Sequence, residues 1–101
     1  MQVKSEAYLL AEQLLILTIS LRDEVNLENM AQMRALILER EEVIHNIESH
    51  AIDEEAASIL IQVRHQEEKI ACALEKSHRQ LVKELAQGFN ELQNIQAYLA
   101  S

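Results

Sequence analysis

Residues 54–99 read EEAASILIQVRHQEEKIACALEKSHRQLVKELAQGFNELQNIQAYL, forty-six positions without a proline. Leu60, Val63, Glu67, Ile70, Leu74, Ser77, Leu81, Leu85, Gly88, Leu92, Ile95 and Leu99 recur at steps of three and four. That spacing places them on one stripe of an α-helix. The steps from 77 to 81 and from 81 to 85 are both four, a stutter that locally unwinds a left-handed supercoil. Asp53 is an N-cap candidate, and Glu54 and Glu55 follow where the helix dipole favours acid. Glu67 falls on the stripe between Val63 and Ile70. Its stem can snorkel to the rim, or its carboxylate can set register. Gly88 is the one position where this helix could bend or end, at about 1 kcal/mol if it stays helical.

Two shorter helices precede it. From about Val3 to Arg22, the residues Val3, Ala7, Leu10, Leu14, Leu17 and Leu21 form a heptad seam. Leu9, Ile16 and Ile19 add apolar surface off that seam, so this helix either sits centrally or offers a second face to a partner. From about Leu27 to Ser49, Met30, Met33 or Arg34, Ile37, Glu41, Ile44 and Ile47 line one side. Leu36, Arg40, Val43 and Ile47 lie on an adjacent strip. Asn26 is the expected N-cap, with a Val25–Met30 staple across it. Glu39-Arg40-Glu41-Glu42 is a charge run and reads as a solvated face.

One glycine, no proline and three aromatics in 101 residues exclude β sandwiches and barrels, which need frequent turn residues. They also exclude the glycine loops that cradle phosphates. What remains is an all-α chain of one domain, residues 1–101, folded as an antiparallel three-helix bundle with a long C-terminal helix. The lengths do not match. At 1.5 Å per residue the first two helices span roughly 30 and 35 Å and the third roughly 70 Å. The bundle therefore leaves Leu81, Leu85, Phe89, Leu92, Ile95, Tyr98 and Leu99 uncovered. A stripe of that size either folds back at Gly88 as a fourth helix, dimerises, or takes a helix of another protein.

Seventeen acidic residues against nine Lys and Arg give a net charge of −8 and a pI near 4.9. Nucleic acid and anionic lipid are therefore unexpected partners, and a basic or amphipathic segment is an expected one. The single Cys72 forms no internal disulfide, which fits a reducing compartment. Between Ala71 and Ala73 it reads as a small buried or half-buried hydrophobe. The first residues, Met1 to Glu6, show neither a basic n-region nor a cleavage site. The stretch Leu9 to Leu21 is too short and too polar for a bilayer. A cytoplasmic location is expected.

No reaction is legible. Glu42-x-x-His45 and Glu75-x-x-His78 match the Glu-x-x-His element of di-iron bundles. With fifteen Glu and four His in the chain, chance supplies such matches, and surface histidines are the reading. Leu21-Arg22 and Leu38-Glu39-Arg40 loosely resemble all-helical chorismate mutases, which implies a cationic pocket for a dicarboxylate. The Lys those enzymes use after the second Arg is missing here, since no Lys occurs between Arg40 and Lys69. The serines sit in helical contexts without an elbow motif. No catalytic residue, metal ligand or cofactor is assigned. Met30 and Met33 stand one turn apart; adaptable thioethers suit either a core or a helix groove.

Three segments carry a further resemblance. They are the capped turn Asp23-Glu24-Val25-Asn26-Leu27, the charged run into apolar pairs Leu38-Glu39-Arg40-Glu41-Glu42-Val43-Ile44, and the tail Asn94-Ile95-Gln96-Ala97-Tyr98-Leu99. In these the chain resembles the FliT type of flagellar export chaperone, over nearly its whole length, and is similar to the FlgN type. The resemblance implies antiparallel helices with one long helix, no catalysis and no cofactor. It implies binding to a late flagellar export substrate, here the filament cap protein, whose C-terminal amphipathic segment the chaperone masks before the complex docks at the export machinery. Some such chaperones carry an inhibitory C-terminal helix, and some bind a transcriptional activator. This chain ends soon after Tyr98, so no separate regulatory helix is expected beyond it. The expected contact residues are Leu81, Leu85, Phe89, Leu92, Ile95 and Tyr98, with Met30, Met33 and Ile37 as a second patch. Self-association through the same stripe is the alternative.

Overall fold

A computed structural model describes residues 3–100, and among them the side chains of residues 3–84, 86 and 87. The chain forms three α-helices: α1, Glu6–Asn26; α2, Met30–Glu48; and α3, Glu54–Ala100. They make a rod 82 Å long and about 20 Å across.

α1 begins at Ser5, whose hydroxyl accepts from the Tyr8 amide at 3.1 Å. Val3 precedes this cap and is 92% exposed, so the seam starts one turn later than the heptads suggest. The buried track is Ala7, Ala11, Leu14, Thr18, Leu21 and Val25. Leu10 and Leu17 pack half-buried at its side. Because Leu21 is followed four residues later by the apolar Val25, α1 runs past Arg22 to Asn26.

The helix then ends in a Schellman turn. Asn29 N–H bonds Glu24 O and Glu28 N–H bonds Val25 O, both at 3.1 Å. Glu28 takes the left-handed conformation such a turn requires, φ 58°. The N-cap of α2 is consequently Asn29, whose side chain accepts from the Gln32 amide, and not Asn26, which is the last residue of α1. The Val25–Met30 staple is also absent: Val25 lies in the core and Met30 is 62% exposed.

On α2 the second strip is the core side. Leu36, Val43 and Ile47 are buried together with Met33, while Ile37 and Ile44 face outward with Met30. On α3, Ala56, Val63 and Ile70 are buried at intervals of seven. Asp53 caps this helix by accepting from the Ala56 amide at 3.0 Å, as expected.

Three clusters stack along the rod. Ala7, Ala11 and Ala56 sit at one end; Leu14, Val43, Ile47 and Val63 form the middle; Leu21, Val25, Met33, Leu36 and Ile70 form the other end. This order makes α1 and α3 parallel and α2 antiparallel to both. α1 is central, one of the two placements its excess apolar surface allows. Among the described residues no Cα of α2 lies within 8 Å of a Cα of α3.

A polar relay spans the two outer helices instead. Fully buried Thr18 donates to Leu14 O at 2.7 Å and accepts from Arg40 Nε at 3.0 Å. Arg40 then reaches Glu67 Oε2 at 3.1 Å. The Glu67 carboxylate remains half exposed, so it snorkels and is paired at once.

α3 is one uninterrupted helix of 47 residues through Gly88. The stripe therefore does not fold back as a fourth helix.

Candidate partner-binding site

The two ends of the bundle differ in chemistry. At the end where the chain enters, polar groups close it. Lys4 Nζ sits 3.0 Å from Glu55 Oε2 and 4.7 Å above the Tyr8 ring. The Glu55 carboxylate holds the Lys4 ammonium above its usual pKa. His50 Nε2 lies 3.3 Å from Glu6 Oε2. Asp53 is held below the usual carboxylate range, first by a hydrogen bond from Ser5 and then by the Ala56 amide. These contacts tie the start of α1 to the 49–53 loop and the start of α3.

The other end is open. The α1–α2 turn crosses over α3 near Ser77, and a cleft flanks the crossing on each side. The larger, about 670 Å³, lies between Val25, Asn26 and Glu28 of the turn and Ala73, Ser77, Leu81 and Glu84 of α3. The smaller, about 270 Å³, lies between Met30 and Met33 of α2 and Leu74 and Ser77 of α3. Past this crossing α3 continues for about 35 Å, counted from Ser77 to Ala100 at 1.5 Å per residue, with no other helix beside it among the described residues.

Leu81 is 53% exposed and Leu74 is 49% exposed. Both fall on the track that buries Val63 and Ile70 further up the same helix. The face that makes the core at Ala56, Val63 and Ile70 is thus bare at Leu74 and Leu81. Of the sequence-derived contact residues, Leu81, Met30 and Ile37 are exposed. Met33 is buried in the core with Leu21, Val25, Leu36 and Ile70, while its edge lines the smaller cleft. The side chains of Leu85, Phe89, Leu92, Ile95 and Tyr98 lie outside the described residues.

Sequence reasoning missed Leu74 and Glu28 as parts of this mouth. Leu74 was legible as a stripe position, but its exposure follows from where α1 ends. Glu28 carried no glycine or proline signal, so nothing marked the turn.

Other candidate chemistry is placed apart. Glu42, His45, Glu75 and His78 are all exposed. Among the described residues no three His, Cys, Asp or Glu side chains converge in a metal-binding group. Arg22 reaches Gln66 Oε1 at 2.6 Å and Asp23 at 3.5 Å, and Arg40 is engaged by Thr18 and Glu67. Both guanidinium groups thus serve contacts between helices. Cys72 is exposed, not buried. It lies two residues beyond Ile70, on the side of α3 opposite the buried stripe. Among the described residues no helix is long and apolar enough to cross a membrane.

Comparison with protein-family models, with curated proteins and with solved structures gives no match for this chain.

Proposed function

We propose that this chain is a helix-binding chaperone of the flagellar export kind. Its client is the C-terminal amphipathic segment of the filament cap protein or of another late export substrate. One observation carries the reading. The core-facing stripe of α3 continues, exposed at Leu74 and Leu81, past the end of the two helices that cover it. An amphipathic client helix laid on that stripe would continue the packing α1 makes against Ala56, Val63 and Ile70. The clefts beside the α1–α2 turn would receive the client's near end. The motif resemblance supplies the identity of the client, and the acidic bundle beside the clefts suits a client whose near end is basic.

The test is calorimetric titration of the full chain with the C-terminal segment of the cap protein from the same organism. Saturable binding near micromolar, with a negative heat-capacity change, is expected. Leu81→Glu and Leu92→Glu should each weaken it at least about tenfold, about 1.4 kcal/mol. Ile16→Glu, on the outward face of α1, should not. Silence from the folded protein, or unchanged affinity in both stripe variants, overturns the reading.

A further inference from the structure

The second half of α3 has a further property, visible when its stripe is counted from Gly88. The track Ser77, Leu81, Leu85, Gly88, Leu92, Ile95, Leu99 lies at −11, −7, −3, 0, +4, +7 and +11. Reversed end for end, the pattern reproduces itself except for one residue in the innermost pair. A second copy running the opposite way would set position 77 against 99, 81 against 95, 85 against 92, and 88 against 88. Self-complementarity of this kind is what a two-fold contact demands.

The only glycine of the chain stands at the centre of that pattern, inside an unbroken helix. A glycine in mid-helix costs about 1 kcal/mol relative to alanine. Its missing Cβ allows close approach of another backbone, and the centre of a two-fold helix pair is the place where that counts most.

Charge is distributed to match. Residues 1–75 hold fifteen of the seventeen carboxylates and six of the nine Lys and Arg; residues 76–101 hold two and three. The stripe region is nearly neutral, and the acid sits on the bundle. In an antiparallel pair the two bundles lie at opposite ends, separated by about 33 Å of helix. That is several Debye lengths at physiological salt. A parallel pair would set two strongly acidic bundles side by side and repel.

We propose that a second copy of this chain covers the stripe of α3 from Ser77 to Leu99, exposed at Leu81, as an antiparallel helix pair with its two-fold axis at Gly88. The inference goes beyond client binding. In the resting molecule the stripe is masked by its own copy, and a client must displace that copy to bind.

Two measurements on the full chain, without client, test it. Sedimentation equilibrium should give twice the 11.6 kDa chain mass at about 100 μM, where micromolar association is nearly complete. A monomer, or a larger assembly, overturns the proposal. Disulfide trapping then reads the geometry in a Cys72→Ser background, with far-UV circular dichroism confirming that each variant stays helical. Gly88→Cys should form a covalent dimer, and so should the double variant Ser77→Cys/Leu99→Cys. Each of Ser77→Cys and Leu99→Cys alone should not, because its copy would be about 33 Å away against a Cα–Cα limit of about 7 Å. Equal trapping by the single variants means a parallel pair and overturns the proposal. Failure of both Gly88→Cys and the double variant to trap in a dimeric protein overturns the axis. A monomer that still binds the cap segment would refute this inference alone; a dimer that ignores it would refute only the chaperone reading.

Discussion

Replacing Thr18 by valine is the sharpest probe of how the outer helix α2 is held on α1. The residue is fully buried, and its hydroxyl makes two hydrogen bonds. The one to Leu14 O is a back-bond within α1, of little net value. The one from Arg40 Nε involves a charged donor, and such bonds contribute about 1.5–3 kcal/mol. The Arg40 side chain is 13% exposed and keeps its Glu67 partner at 3.1 Å, so it is not left wholly unpaired. The lower end of the range applies, and Thr18→Val should cost about 1.5 kcal/mol.

Urea unfolding followed by far-UV circular dichroism, at fixed protein concentration, measures it. With a slope of about 1–3 kcal/mol per molar, the midpoint should fall by about 1 M. The Arg40→Met change alone should also destabilise, because it strips the buried Thr18 hydroxyl of its donor. Combined with Thr18→Val it should recover part of the loss, since no buried polar group then lacks its partner. Strict additivity of the two changes, or a Thr18→Val cost below about 0.5 kcal/mol, would refute the Thr18–Arg40 bond as a stabilising link between α1 and α2.

Two further outcomes follow from the turn and the cap. Glu28→Gly should raise stability by about 0.5–1 kcal/mol, because a non-glycine residue at φ 58° carries a conformational penalty that glycine lacks; Glu28→Ala should give no such gain, and equal urea midpoints for the two variants would exclude it. Asp53 has a folded pKa below the 3.8 of a free aspartate side chain, so its contribution is complete above that value and is lost as pH falls through the lower folded value. Asp53→Asn keeps an acceptor for the Ala56 amide but cannot titrate. Acid titration of stability should therefore be shallower for the variant than for the parent below pH 3.8, and parallel curves would show that Asp53 is not the group responsible.

Much of the helical frame was legible because α-helical spacing is redundant. Ala7, Leu14 and Leu21 belong both to the expected seam and to the observed one. The two tracks part at Leu10 and Leu17 against Ala11 and Thr18. Hydrophobicity favours the leucines, but the small residues are what lets α3 approach α1, and Thr18 is what meets Arg40. On α2 two apolar strips compete in the sequence. Burial goes to the one carrying Arg40, because that side faces Thr18 and Glu67. The boundary between α1 and α2 was misplaced because a glutamate occupies the position usually given to glycine. The long α3, by contrast, was plain from spacing and length alone, and so was the exposure of Leu81 beyond the shorter helices. A partner for the α3 stripe, as proposed, would be written in another polypeptide or in a symmetry relation, neither of which periodicity within one helix displays.

The central position of α1 gives the molecule an unequal hierarchy of opening. α2 is joined to the rest across a single backbone interface, supplemented by the reach of side chains such as Arg40. It can detach as a unit and leave the parallel α1–α3 pair intact. α1 has no comparable exit, since freeing it breaks both interfaces at once. Partial unfolding therefore starts at an outer helix, such as α2, and not at α1. The first surface such a fluctuation would uncover is the shared flank of α1 and α3 around Leu14, Leu21, Val63 and Ile70, from the middle of the bundle to its open end.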